Sequence, residues 1–253
     1  MKIIKHIPNS ITSLNLFSGC VGLYFVMLGR LEYASMMIFL AAVFDFFDGF
    51  AARLLHVKSD IGKELDSLAD VVSFGVLPGF ILFSMMNSSN VECLGNCHST
   101  KLLPFIAFFI PVFSALRLAK FNLDTRQTSS FIGLPTPANA ILIASFPLIA
   151  LQESSLVPFN HLALAGLLYN PYLLAGYSII FSYLLVSPIP LFALKFDSYG
   201  FKKNQYRYIF LLSSLLLLIC FGLSGIPLVI AFYLLFSIIE QVYIKRNIRN
   251  GNV

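Results

Sequence analysis

Residues 45–70 read DFFDGFAARLLHVKSDIGKELDSLAD and lie between two long apolar runs, about 33–54 and 65–86. Each run is near the ~20 residues that carry a helix across a bilayer's hydrocarbon. The four aspartates Asp45, Asp48, Asp66 and Asp70 are therefore predicted near the ends of two membrane helices. Six further stretches qualify outward from this pair, about 10–28, 102–122, 134–151, 171–193, 207–222 and 224–243. The 253-residue chain is 58% hydrophobic and only 11% charged, with a mean hydropathy of +0.83. A soluble domain carries about a quarter charged residues, so lipid is the expected solvent. The expected fold is all-α, a polytopic integral membrane protein of about eight transmembrane helices. No repeat or linker divides it, so residues 1–253 are read as a single domain, with its C-terminal spans over about 171–243. No small-residue cleavage site follows the basic N-terminus, and the first apolar stretch is read as a retained span.

Charge gives the orientation. With eight spans, both termini share a side with the loops near 55–64, 117–133 and 194–207. That side carries all 17 Lys and Arg residues except Arg30 and Lys101, and all seven aspartates. Positive residues stay on the cytoplasmic face, so both termini and the aspartates are predicted there. The net charge of +5 sits at membrane ends, where it orients spans and attracts anionic lipid. It calls for no nucleic acid. The segments FKKNQYR (201–207) and IKRNIRN (244–250) are read as a loop and a tail that contact lipid head groups.

Other features are expected to be structural. Cys20 and Cys220 fall inside spans and read as small buried hydrophobes. Cys93 and Cys97, in the loop VECLGNCHST, read as a disulfide or as free thiols; with His98 they make an incomplete metal site. Gly222, Gly225 and Pro227 suggest a tight turn between the last two spans. Pro188 and Pro190 suggest a kink in the sixth. GLPTPANA (133–140) is expected to shape the start of the fifth span, since its prolines oppose regular helix.

The aspartate segment carries the chemistry. If the second span stays helical through Arg53, then Asp45, Asp48, Gly49, Ala52 and Arg53 share one face. Gly62, Asp66 and Asp70 recur every four residues in the next helix, and Ser73 follows three later, again on one face. Two helices joined by LLHVKSD can thus bring four carboxylates together. Such a cluster stays ionised only when cations neutralise it. Hard oxygen ligands suit Mg²⁺, Mn²⁺ or Ca²⁺, and the lack of His or Cys argues against zinc. Gly49 and Gly62 permit close approach, and Arg53 offers a planar fork for phosphate. Together these residues describe a diphosphate site. The plainer alternative is a set of interfacial acids paired with Arg53, Lys58 and Lys63.

The spacing Asp45-x2-Asp48-Gly49-x2-Ala52-Arg53-x8-Gly62-x3-Asp66-x3-Asp70 resembles the complete signature of the CDP-alcohol phosphotransferases. The segments IPNSITSLNLFSG, GKELDSLADVVSFGV, ALRLAKFN and GLPTPANA further resemble the branch that joins CDP-diacylglycerol to L-serine, the phosphatidylserine synthases. The likeness covers roughly the first 140 residues, and Lys120 stands where relatives often carry arginine.

The resemblance implies a homodimeric helical enzyme of the cytoplasmic membrane, its site open to the cytoplasm. Its substrates would be CDP-diacylglycerol and L-serine, its products phosphatidylserine and CMP. It implies that Asp45, Asp48 and Asp66 are metal ligands, with Asp70 at a second ion and also the catalytic base, the cofactor being two divalent cations, Mg²⁺ or Mn²⁺, per site. Gly49, Ala52, Arg53 and Gly62 would line the CDP-diacylglycerol pocket. Asn9 and Thr12 are further nucleotide contacts, or else caps of the first helix. For serine, Arg117 is the carboxylate clamp, with Asn122, Ser73 and Lys120 beside it; Arg117 and Lys120 read equally as positive anchors of the fourth span. Arg126 could hold a phosphate or a head group. The competing readings are another acceptor, glycerol 3-phosphate or inositol phosphate, and, outside the family, a cation transporter, which would call for inverted repeats or broken helices.

Overall fold

The computed structural model describes residues 6–57, 59–88, 100–123, 130–151, 166–192 and 201–249. The loop with Cys93, Cys97 and His98, and Lys58 and Arg126, lie outside these residues.

Among the described residues the fold is helical, apart from one pair of short strands. Helix α1 (Ile7–Met27) starts on Pro8, whose missing N–H costs nothing in a first turn. Gly29, with φ +71°, turns the chain into α2 (Leu31–Leu54). After the linker, Ser59 caps α3 (Asp60–Asp70), its hydroxyl accepting the Gly62 N–H at 3.2 Å. Helix α3 runs without a break into a π-helical segment, Val71–Val76, and then into α4 (Leu77–Asn87). The Leu77 N–H reaches back to Val72, five residues rather than four. A 3₁₀ stretch, Thr100–Phe108, leads into α5 (Phe109–Leu123). Helices α6 (Thr136–Leu151), α7 (Pro171–Val186), α8 (Phe201–Phe221) and α9 (Gly225–Arg249) complete the chain.

The rod formed by α3, the π segment and α4 is the centre of the bundle. Its side chains Phe74, Leu77, Ile81, Leu82 and Met85 are fully buried against Ile38 and Ala41 of α2, Ile110 of α5 and Ile143 of α6. Glycines let neighbouring helices approach it. A Cβ on Gly19 would lie 2.6 Å from Ser73 Oγ and 3.1 Å from its Cα, and a Cβ on Gly79 would lie 2.8 Å from Pro111. Small residues at crossings are how helices associate in lipid, where apolar side chains gain little by leaving the solvent. The outward surface is correspondingly greasy: Phe17, Phe46, Phe47, Phe50, Leu212, Leu215 and Ile219 are all exposed.

Among the described residues, five helical segments are long and apolar enough to cross a membrane, Arg207–Ile239 counting as one; Thr136–Leu151 and Pro171–Val186 are apolar but only 16 residues each. Several local expectations change. The sixth span, expected over 171–193 with a kink, ends at Val186. Ser187 before Pro188 is extended (φ −64°, ψ 147°), because a proline ring crowds a helical predecessor. Pro190 then lies in strand β2 (Pro190–Phe192), antiparallel to β1 (Ser130–Ile132). FKKNQYR is not a loop but the first turns of α8. Cys20 and Cys220 are free and exposed rather than buried, so they face the side that lipid covers. The GLPTPANA segment does shape a helix start: Gly133 adopts φ +78°, and α6 begins at Thr136.

Candidate active site

Helices α1, α2 and α3 meet at one end of the bundle and enclose the acids. Asp45, Asp48 and Asp66 each bring a carboxylate oxygen to within 4.8 Å of the others. Asp70, one turn deeper on α3, is close enough to Asp45 for their charges to interact. Asp48 and Asp70 are buried, and Asp45 and Asp66 half-buried. Asp48 is approached by the Thr12 hydroxyl and its neighbour's Gly49 N–H. Asp48 Oδ2 and Asp66 Oδ1 are buried with no hydrogen-bond partner.

These unpartnered oxygens test the metal reading against the plainer one. Lys63 directs its Nζ to the Asn122 carbonyl (3.2 Å), and Arg53 is exposed. Among the described residues, none of the four carboxylates forms a salt bridge. Four acids crowded together without a counter-charge are costly, and an all-oxygen donor set with free lone pairs is what a hard divalent cation requires. The cluster therefore fits a metal ion.

Beside the acids lies a cleft of about 400 Å³. Asn9, Thr12, Asp48, Gly49, Ala52, Gly62 and Asp66 line it, together with Ser59, Asp60 and Lys63. A Cβ at Gly49 would meet nothing within 4 Å, so that position opens onto free space. Gly62 instead admits a neighbour: its Cβ would sit 2.9 Å from Asn9 Oδ1. Asn9 and Thr12 do not cap α1, which begins at Ile7, before either of them. Arg53 is not among the residues lining the cleft.

The residues expected around the acceptor divide into two groups. Arg117 is buried in α5, 7% exposed, and its Nη1 donates to Thr136 Oγ1 at 3.3 Å. Asp70 lies within its electrostatic reach. Ser73 is buried too, but its hydroxyl is engaged, donating to the Asn15 carbonyl at 3.0 Å. Asn122 is spent on Ser67, donating to its Oγ at 2.8 Å, and Lys120 is exposed at the end of α5.

Asn15 was not singled out from the sequence. It is fully buried on α1, and its Nδ2 donates to Asp70 Oδ1 at 3.3 Å. The available signal was an amide in mid-span, one helical turn after Thr12, since buried polar groups within a membrane serve a purpose.

A model of the CDP-alcohol phosphatidyltransferase family matches residues 5–186. Several similar curated proteins bear the name CDP-diacylglycerol–serine O-phosphatidyltransferase. That of Bacillus subtilis is 33% identical over 192 residues, 74% of this chain and 89% of its own length. That of Methanocaldococcus jannaschii is 31% identical over 243 residues, 96% and 93% of the two chains. That of Helicobacter pylori is 29% identical over 249 residues, 94% and 91%.

Proposed function

The chain belongs to the CDP-alcohol phosphatidyltransferase family, and from that premise we propose that it transfers the phosphatidyl group of CDP-diacylglycerol to L-serine, giving phosphatidylserine and CMP. The observation that carries this reading is the cluster of three carboxylates, Asp45, Asp48 and Asp66, at the edge of an open cleft, with Asp70 one turn deeper. The relatives named above support serine as the acceptor.

In this reading the acyl chains of the donor stay in lipid while its diphosphate enters the cleft over Gly49. Ala52 and Gly62 border the nucleotide, with Asn9 and Thr12 across from them and Arg53 at the rim. Asp45, Asp48 and Asp66 would hold a divalent cation, Mg²⁺ or Mn²⁺, and Asp70 would border a second. Bound there, the ions would neutralise the diphosphate and the departing CMP. Arg117 holds the serine carboxylate. Asp70, oriented by Asn15, removes the proton from the serine hydroxyl. A bond forms between the serine oxygen and the lipid-bearing phosphorus as the bond to CMP breaks. The proton on Asp70 then passes to water.

We further propose a single domain over residues 1–253, eight spans, both termini and the cleft on the cytoplasmic face of the cell membrane, and a homodimer. Cysteine-accessibility mapping of the loops and cross-linking in native membranes test these.

The decisive assay supplies purified protein with CDP-diacylglycerol and Mn²⁺ or Mg²⁺ and follows CMP release with L-serine, glycerol 3-phosphate or inositol phosphate. Release with serine, abolished by chelation, is the expected result. Release only with a phosphorylated acceptor would overturn serine while keeping the family. No release from folded protein would return cation transport to consideration.

A further inference from the structure

Hydrogen-bonding groups buried in a protein nearly always find partners, so those without one point to something that binds. Three lie on α5 and α6, which the hydrogen bond from Arg117 to Thr136 joins. Ser114 Oγ and Arg117 Nε on α5 and Asn139 Nδ2 on α6 are all unpartnered. Their residues are 0%, 7% and 0% exposed.

The neighbours fix how these atoms sit. Arg117 Nη1 donates to Thr136 Oγ1 and is thereby held against the first turn of α6. Asn139, three residues after Thr136, lies on the same helix face, with Cβ atoms about 5–6 Å apart. The Tyr177 hydroxyl donates to Asn139 Oδ1 at 2.7 Å, leaving the NH₂ end as the free one. Tyr177 is pinned in turn by stacking on Phe181, with ring centroids 4.1 Å apart.

We propose that Asn139 determines acceptor specificity, sharing the carboxylate of the amino-acid acceptor with Arg117. This rests on the serine reading above. Two unpartnered, buried N–H donors, one on Arg117 and one on the helix face that Arg117 contacts through Thr136, match a group with two acceptor oxygens. In this proposal the acceptor's β-hydroxyl extends from the bound carboxylate toward the aspartates. Among the described residues Arg117 is the one buried basic side chain, and a single cation balances a carboxylate rather than a doubly charged phosphate. Tyr177 is a positioning residue that aims the amide.

The test uses full-length protein with CDP-diacylglycerol and Mn²⁺, comparing L-serine with L-serinamide, which lacks the carboxylate. Asn139→Asp replaces the donor with a like charge, Asn139→Ala removes it, and Tyr177→Phe releases its orientation. Each should raise the KM for serine, roughly ten- to a hundredfold for the Asn139 variants, the worth of one hydrogen bond to a charged group. The KM for CDP-diacylglycerol should stay within about twofold, and the preference for serine over serinamide should fall in parallel. Should Asn139→Asp fail to fold, Asn139→Ala and Tyr177→Phe decide by the same measurements. Folded variants with unchanged KM and unchanged preference would overturn the proposal while leaving serine as the acceptor. Wild-type protein that ignores serine would instead overturn the function on which it rests.

Discussion

Asn15 Nδ2 meets Asp70 Oδ1 at 3.3 Å, joining the middle of α1 to the end of α3 across 55 residues of sequence. A side-chain amide held in this way fixes the rotamer of the carboxylate and leaves its second oxygen for chemistry. Asn15→Leu keeps the volume and removes the bond. It should lower kcat roughly ten- to a hundredfold, the range for one hydrogen bond to a charged group, with little change in the KM for CDP-diacylglycerol. Steady-state CMP release measures both.

Asp66 Oδ1 is buried without a partner, so neutralising it changes little but the affinity for a cation. Asp66→Asn should shift the Mn²⁺ dependence of CMP release to higher concentration. The shift should be at least the roughly tenfold that follows even from disturbing a ligand's outer partners. Manganese binding followed by electron paramagnetic resonance reads the same loss without turnover. A variant with wild-type Mn²⁺ affinity would remove Asp66 from the metal site.

Two glycines should respond to the same change in opposite ways. A Cβ on Gly19 would lie 2.6 Å from Ser73 Oγ, displacing that hydroxyl, and 3.1 and 3.2 Å from the Ser73 Cα and N, so the helix crossing must also open by a few tenths of an ångström. Gly19→Ala should cost about 2 kcal/mol, within the usual range for overpacking, seen as a lower melting temperature. Gly49 faces open space. Gly49→Leu should fold normally and raise the KM for CDP-diacylglycerol, because the side chain fills the cleft.

Thr136 is fully buried and accepts from Arg117. Thr136→Val keeps the shape and removes the acceptor. The KM for serine should rise severalfold, and the thermal midpoint should fall, since the buried Arg117 Nη1 loses its partner at a cost of about 1–3 kcal/mol.

Helical spacing was enough to place Asp45, Asp48, Gly49 and Ala52 on one face and Asp66 and Asp70 on another, because that depends only on residues within two or three turns of one another. The neighbour across from each face was not legible. Asn15 reaches Asp70, and Thr136 reaches Arg117, through helix registers set by close crossings such as Gly19 on Ser73. Hydropathy reports that a segment is greasy, not which neighbour it touches or how deeply. The end of α7 was missed for a local reason: apolar composition continues through Leu191 and Phe192, while Pro188 has already stopped the helix.

The π segment has a consequence for inheritance. Val71–Val76 accommodates one residue more than an α-helix would over the same rise, so it acts as a phase shifter within a single rod. On its N-terminal side the rod presents Asp66 to the cleft and Asp70 one turn deeper; on its C-terminal side, Leu77, Ile81 and Met85 turn into the core. Deleting one residue between 71 and 76 would let the segment close into regular α-helix with both halves still in phase, whereas a deletion on either side of it would rotate one half against the other by about 100°, one residue's share of a helical turn. After a deletion of that second kind, either the acids or the core would face the wrong way. The rod therefore tolerates a change of length within the π segment and nowhere beside it.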